Sequence, residues 1–392
     1  MAFYLLLIKI KKGKNMSGTN KINIKSEPVE HRKSLRVMKN HFNIVVAVLF
    51  ILVVVMLGAC RKNKSDTPGG PGLSDDKLRF VFLADSRGDS LGYTIDSTAL
   101  NPIIRRIDTL NPQPSFVVFG GDMCYRGYMN RKYTFQEFKN LFSMLTKKGI
   151  NLYTAMGNHE LYHEHAGYGY FLVNQQQFQS TFSENPANGP TGYEHLAYSF
   201  SDAGTSSFFA VMDCYYVTQD TQKLNMGGHI DSTQMSWLKT QVSQTSALHK
   251  FLFIHVPYYY VDNDSTEASE PDTTITALWS FIDDNKFDFY ACGHSHLYAR
   301  RTIDGSLTPH PQTTPPVPAW HNNVVQLLNG TRGAGSGGGY IDPAVKTEWN
   351  VHNDHKTYYF SVVDINGGTV TVKSYGGYTG AFSLIDTFTI TK

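Results

Sequence analysis

Five short stretches hold residues of the kinds that bind cations or move protons. They are "LADSRGD" with Asp85 and Arg87, "FGGDMCY" with Asp122 and Tyr125, "GNHE" with Asn158, His159 and Glu160, "FIHVP" with His255, and "CGHSHLYAR" with His294 and His296. Each follows an apolar run. One polar residue at such a place is a cap or a satisfied core group. Five that carry Asp, Asp, Asn-His, His and His-x-His need a common explanation, because buried carboxylates and imidazoles require partners. A shared metal cluster would satisfy them all. A carboxylate can bridge two cations roughly 3.5–4 Å apart, and imidazole nitrogens and an amide oxygen complete coordination without adding charge. Such a pair can generate hydroxide at neutral pH and hold a phosphoryl group for in-line attack.

The elements that must position these residues are visible in the pattern. "LRFVFLAD", "PSFVVFGGD", "NLYTAMGNHE", "SSFFAVMDC", "KFLFIHVP" and "FDFYACGHSH" each read as a buried strand ending in a polar cluster. Amphipathic stretches lie between several of them. In "TFQEFKNLFSMLTKKG", Phe135, Phe138, Leu141, Phe142 and Leu145 share one helical face, Thr134 and Glu137 form a capping box, and Gly149 is the stop. "QMSWLKTQV" and "TALWSFIDDN" predict shorter helices. "YYFSVVDING" and "GTVTVKSY" predict a hairpin turning at Asn366 and two glycines. "NGTRGAGSGGGY" reads either as an anion cradle or as an ordinary loop after a strand. The alternation predicts an α/β fold with mixed sheets, whose sites gather at strand ends.

The 392 residues carry 35 Lys+Arg against 33 Asp+Glu, a balance that argues against nucleic acid as a partner. A hydrophobic content of 41% fits a globular domain with a substantial core. The start of the chain differs from the rest. "MKNHFNIVVAVLFILVVVMLGAC" has a lysine, an apolar run from Ile44 to Leu57, then Gly58, Ala59 and Cys60. That run suits a signal-peptide core better than a spanning helix of about 20 residues. "LGAC" looks like a bacterial lipobox, with Cys60 as the lipidated mature N-terminus; an uncleaved signal anchor is the alternative. The expected organisation is an upstream extension or early start over 1–37, a lipoprotein signal peptide over 38–60, a flexible tether over 61–77 and a catalytic domain over 78–392. The exported protein would be lipid-anchored in the bacterial cell envelope, facing the periplasm or exposed at the surface. Cys124, Cys214 and Cys292 remain, an odd number that argues against a disulfide framework while leaving one bridge open.

Taken in order, the five stretches resemble the calcineurin-like metallophosphoesterases, whose pattern runs Asp-x-His, Gly-Asp, Gly-Asn-His-Glu, a lone His and Gly-His-x-His. The resemblance implies a four-layer α/β/β/α sandwich with two mixed sheets and a dinuclear metal centre. One position departs: Arg87 stands where the family has a histidine. The purple acid phosphatase branch also lacks that histidine and uses a tyrosine in Gly-Asp-x-x-Tyr, which "GDMCY" matches. "HVPYY" resembles its lone-histidine motif, and Tyr298 and Arg300 match its aromatic and arginine after the last histidine. The tandem histidines common after the lone-histidine motif in plant members are missing.

The roles implied by the resemblance are these. Asp122 bridges, Asp85, Tyr125 and His296 hold the first ion, and Asn158, His255 and His294 hold the second. A phenolate suits Fe(III), and the partner ion would be divalent Zn, Fe or Mn. His159 stabilises the transition state or protonates the leaving group. Glu160 orients a ligand. Arg87 binds phosphate oxygens or pairs with a nearby carboxylate. His163 and His165 line the pocket or sit solvated in a loop, and Tyr258, Tyr259 and Tyr260 form a wall or simply pack. The expected activity is hydrolysis of phosphate monoesters. The alternatives are a phosphodiesterase acting on nucleotides or lipid head groups, and a non-catalytic lipoprotein that binds a phospho-ligand or glycan.

Overall fold

Phe80, Phe82, Phe116 and Val118 alternate with Val81, Leu83, Val117 and Phe119 along two parallel strands, and the alternation divides the core into two layers. A strand's side chains point to opposite faces in turn, so each strand belongs to both layers. The computed structural model describes residues 76–392 apart from 91–92, 165–168, 223–226, 262–272, 305–319, 332–340, 342–345, 347 and 354–356. Cys60, the leader, the tether before residue 76, His165 and most of the glycine-rich stretch therefore lie outside the described residues.

One sheet has the strand order β17 (Ala381–Thr391), β16 (Thr369–Tyr378), β15 (Tyr358–Asn366), β1 (Lys77–Leu83), β4 (Phe116–Phe119), β7 (Asn151–Thr154). The other runs β14 (Asn350–His352), β12 (Tyr298–Ile303), β13 (Val324–Asn329), β11 (Phe289–Cys292), β10 (His249–Phe253), β9 (Ser207–Val211), β8 (Tyr198–Asp202). Two short ribbons, β2 (Arg87–Ser90) with β3 (Tyr93–Ile95) and β5 (Tyr128–Met129) with β6 (Lys132–Tyr133), flank the strand ends. Both large sheets mix parallel and antiparallel pairs.

Aromatic rings fill the space between the sheets. Phe80 stacks on Phe116 at 5.1 Å and meets Phe209, Phe251 and Phe253 of the facing sheet edge-on. Truncating such a ring costs about 3–5 kcal/mol, so this layer sets the spacing of the two sheets. The outer faces carry helices. Helix α1 (Ser97–Asp108) buries Leu100, Ile103, Ile104 and Ile107, and Phe138 of α2 (Phe135–Leu141) packs on Phe119 at 4.7 Å. The short α3 (Ser143–Thr146) and α4 (Leu172–Thr181) follow. On the other sheet, α5 (Ser232–Ser243) buries Leu238, and Trp279 of α6 (Thr273–Asp284) packs on Tyr290 at 5.1 Å. The result is the four-layer α/β/β/α sandwich with two mixed sheets.

The hairpin forms, with Asn366 opposite Thr369 across Gly367 and Gly368. Both shorter helices exist, and Asp231 caps α5 by accepting the Gln234 amide. The capping box does not form. Thr134 instead donates its hydroxyl to the Arg126 and Gly127 carbonyls at 3.0 and 3.3 Å, while Glu137 pairs with Lys132. Buried carbonyls of the preceding loop take the hydroxyl first, and the helix breaks in two at Phe142. Helix α1 was hidden in the sequence by Pro102 within it. Cys124, Cys214 and Cys292 are buried free thiols, so no bridge joins them.

Candidate metal centre

Strands β1, β4 and β7 are parallel to one another, as are β9, β10, β11 and β13, so each sheet gathers its carboxyl ends along one rim. The two rims are tied at Ala84. Its amide donates to the Asn329 carbonyl, and its own carbonyl accepts the Thr331 amide. Asp85, Asp122, Asn158, His255 and His294 each follow a strand by a few residues and meet there.

The backbone at the rim is strained. Asp85, Asp122 and His294 have φ of 61°, 55° and 73°, a region that costs side-chain-bearing residues about 1–3 kcal/mol each. The bonds made by the carboxylates offset this. Both oxygens of Asp85 accept the His294 amide at 3.0 Å, and Asp122 Oδ1 accepts the His159 amide at 3.1 Å. Such close approach explains two motif glycines. A Cβ on Gly293 would stand 2.4 Å from Asp85 Oδ2, and one on Gly157 would stand 2.3 Å from Asp122 Oδ1.

Side-chain geometry makes the cluster rich in acceptors. His255 donates from Nδ1 to the Gly120 carbonyl at 2.8 Å, which leaves Nε2 to bind a metal or, without one, to carry a second proton. That atom lies 3.3 Å from Asp122 Oδ1 and 3.3 Å from His294 Nδ1. The amide of Asn158 is oriented by donation to Tyr162 Oη at 3.1 Å, so its Oδ1 is the free atom. Asn158 Oδ1 and His294 Nε2 are both buried without a hydrogen-bond partner among the described residues. Asp85, Asp122 and His255 each offer a ligand atom, all within 4.8 Å of one another. His296 Nε2 is 3.9 Å from Asp85 Oδ1. Lone pairs converging in a buried space repel unless a proton or a metal cation sits among them, and these oxygen and nitrogen donors suit zinc, iron or manganese.

Electrostatics carries the same sign. Burial pushes the Asp85 carboxyl well above its usual range, and the Asp122 charge adds to this against the opposing charge of His255. Burial also opposes charge on Asp122, but the imidazoles of His255 and His159, with Arg87, outweigh it and hold Asp122 well below. Burial would lower His255, yet Asp122 and Asp85 raise it to about 9, so a proton on His255 is the cation of the metal-free cluster. His294 and His159 are pushed down to about 3, first by burial and then by His255 and Arg87 respectively. His296 is held well below its usual value by burial and Arg87. Neutral imidazole is the form that binds metal.

His159 donates from Nδ1 to the Tyr125 carbonyl at 2.8 Å, so its Nε2 lone pair is 3.9 Å from Asp122 Oδ2. The ring of Tyr125 lies beside His159, with centroids 6.0 Å apart, and the Arg126 guanidinium covers it at 5.4 Å. Arg87 places Nε 3.6 Å from Asp122 Oδ2, so of its two expected partners the structure has the carboxylate. His163 stacks on Tyr128 at 4.3 Å. Tyr258 stacks on Trp279 and Tyr259 accepts the Trp320 indole N–H, so both are packing residues, whereas Tyr260 lies 6.1 Å from the His294 ring. Tyr298 and Arg300 both bond Asp386, which joins β12 of one sheet to β17 of the other.

Two further residues matter here. Glu160 accepts the backbone amides of Asp122, Met123 and Gly157. Asp213 follows β9 by two residues, as His255 follows β10, and its Oδ2 is buried without a hydrogen-bond partner among the described residues. Burial raises its carboxyl to about 7. The signal was present, since "VMDC" ends a strand in an acid like the other stretches.

The family model described as calcineurin-like phosphoesterase matches residues 78–298, more than half of the chain. Among solved structures, a dimetal phosphatase from Danio rerio aligns at 14% identity over 80% of this chain and 98% of its own, with a TM-score of 0.51. GAP50, the anchor in the inner membrane complex of Plasmodium, aligns at 13% identity over 80% of this chain and 89% of its own, with a TM-score of 0.50. At such identities the likeness is one of fold. No curated protein matches the chain in sequence.

Proposed function

The chain belongs to the calcineurin-like phosphoesterases, and on that premise we propose that it is a metal-dependent hydrolase of phosphate monoesters. We further propose that it is exported and held on a bacterial envelope membrane by lipid on Cys60. The observation that carries the first reading is the set of unpartnered buried lone pairs, Asn158 Oδ1 and His294 Nε2, beside His255 Nε2. Asp122 would be shared by two ions, with Asn158, His255 and His294 the residues that would hold one and Asp85, Tyr125 and His296 those that would hold the other. Bound there, the ions, Fe(III) with divalent Zn, Fe or Mn, supply Lewis-acid activation of water and neutralise phosphoryl charge.

The chain's own groups do the rest. His159 Nε2 faces the cluster, where this imidazole would stabilise the transition state or, carrying a proton taken from solvent, pass it to the leaving oxygen. The Arg87 guanidinium, beside Asp122, adds fixed positive charge where a phosphoryl oxygen would come to rest. Assay with p-nitrophenyl phosphate and bis(p-nitrophenyl) phosphate, with metal content measured in parallel, tests the reading. Monoester turnover tracking two ions per chain is expected. Preference for the diester would replace it with a phosphodiesterase, and binding without turnover would replace it with a binding lipoprotein.

A further inference from the structure

We infer that Glu160 is a positioning residue that sets the bridging carboxylate in place before any cation arrives, by clamping two ligand loops together through their backbones. The consequence for metal binding rests on the reading above; the clamp itself does not. The ladder between β4 and β7 ends at Phe119 and Thr154, with one further bond from the Ala155 amide to the Phe119 carbonyl. Beyond it, the loop carrying Asp122 and the loop carrying Asn158 and His159 leave the ladder, and their backbones next bond directly where the Gly127 amide donates to the His159 carbonyl at 3.2 Å. Glu160 supplies what the ladder does not. Its Oε2 accepts the amides of Asp122 at 2.8 Å and Gly157 at 2.7 Å. Its Oε1 accepts the Met123 amide at 2.9 Å and lies 3.4 Å from that of Cys124. Asp122 Oδ1 makes the return bond, accepting the His159 amide at 3.1 Å. Each loop thus holds the other through a carboxylate, and Asp122 keeps its positive φ because its own amide is anchored.

The chemistry of the clamp separates it from simple packing. Both Glu160 oxygens face N–H donors, so the site needs a group with two acceptors and no donor. Glutamine has the same shape but sets an NH₂ against amide donors. Glu160→Gln should therefore fail almost as badly as Glu160→Ala, whereas a residue that only fills space would tolerate glutamine.

The test uses Glu160→Gln held well below its unfolding midpoint, with its fold checked by circular dichroism. Zn²⁺ affinity is measured by competition with a chelator, and kcat and KM for p-nitrophenyl phosphate at saturating Zn²⁺. Affinity should weaken roughly 10–100-fold, the range typical of groups that orient metal ligands, and kcat should fall with KM nearly unchanged. A folded variant with wild-type Zn²⁺ affinity and kcat overturns the inference. If the variant does not fold, hydrogen exchange in the metal-free wild type decides. The amides of Asp122, Met123 and Gly157 should be as protected as those of β4, and rapid exchange there overturns the clamp. A wild type that neither binds Zn²⁺ nor turns over ester sinks the metal-dependent reading, while the exchange result still decides the clamp.

Discussion

His255 Nε2 and His294 Nδ1 face each other at 3.3 Å from the carboxyl ends of neighbouring parallel strands. With His255 Nδ1 committed to the Gly120 carbonyl, His255 Nε2 either accepts a proton from His294 Nδ1 or turns its lone pair to a cation, and His294 Nε2 is left for a cation in both cases. Chelation should abolish turnover, and added divalent metal should restore it. His255→Ala or His294→Ala should weaken metal binding by more than the roughly 10–100-fold seen when an outer partner is lost. Chelator-resistant activity would rule the centre out.

Asp122→Asn replaces a carboxylate facing His255 on one side and Arg87 on the other with an amide that binds cations poorly. Turnover should collapse and metal content should fall. His159→Ala should keep most of the metal and slow catalysis by roughly 10²–10⁴-fold, the usual size of a general acid–base contribution. Metal analysis of the two variants side by side checks this; equal metal loss would mean that the roles of the two residues are wrongly divided.

Tyr125 is the proposed substitute for the histidine that Arg87 displaces. A phenolate on Fe(III) absorbs visible light, so the iron-loaded protein should be violet to pink. Tyr125→Phe should lose the colour and hold one ion less tightly. A variant that keeps spectrum, metal and activity would leave the phenol as packing against His159.

Asp213 predicts a pH-dependent stability. Its folded carboxyl, raised to about 7 by burial, titrates well above the unfolded value near 4. Between those values the unfolded chain ionises and the folded one does not, so stability contributed at low pH is lost as pH rises to 7. Asp213→Asn removes this slope. Relative to the variant, the wild type should lose up to about 4 kcal/mol between pH 4 and 8. Melting curves of both proteins across that range check it, and a pH-independent difference would show that Asp213 is not the source.

Cys60 supplies the remaining prediction. If "LGAC" is a lipobox, the mature chain begins at an acylated Cys60 and partitions with membranes, and Cys60→Ala releases it or blocks processing. Mass spectrometry of the mature N-terminus decides, and a soluble wild-type protein that begins elsewhere would end the proposal.

Much of this protein was determined by sequence alone. Alternating Phe and Val in β1 and β4 already implied strands buried on both faces, and the order of the five polar strand ends implied the family and its sandwich. These are properties of local spacing, and spacing survives folding. Other features were decided only by the tertiary structure, because they depend on which distant groups meet. Asp85 accepts an amide 209 residues away at His294, and nothing near either residue foretells it. Thr134 looked like a helix cap, but buried carbonyls of the Arg126 loop had the stronger claim on its hydroxyl. Arg87 could have turned to several partners, and the fold put Asp122 beside it. Glu160 could be read as orienting a ligand; only the end of the β4–β7 ladder, where the amides of Asp122 and Met123 turn to its carboxylate, shows that it does so through the backbone.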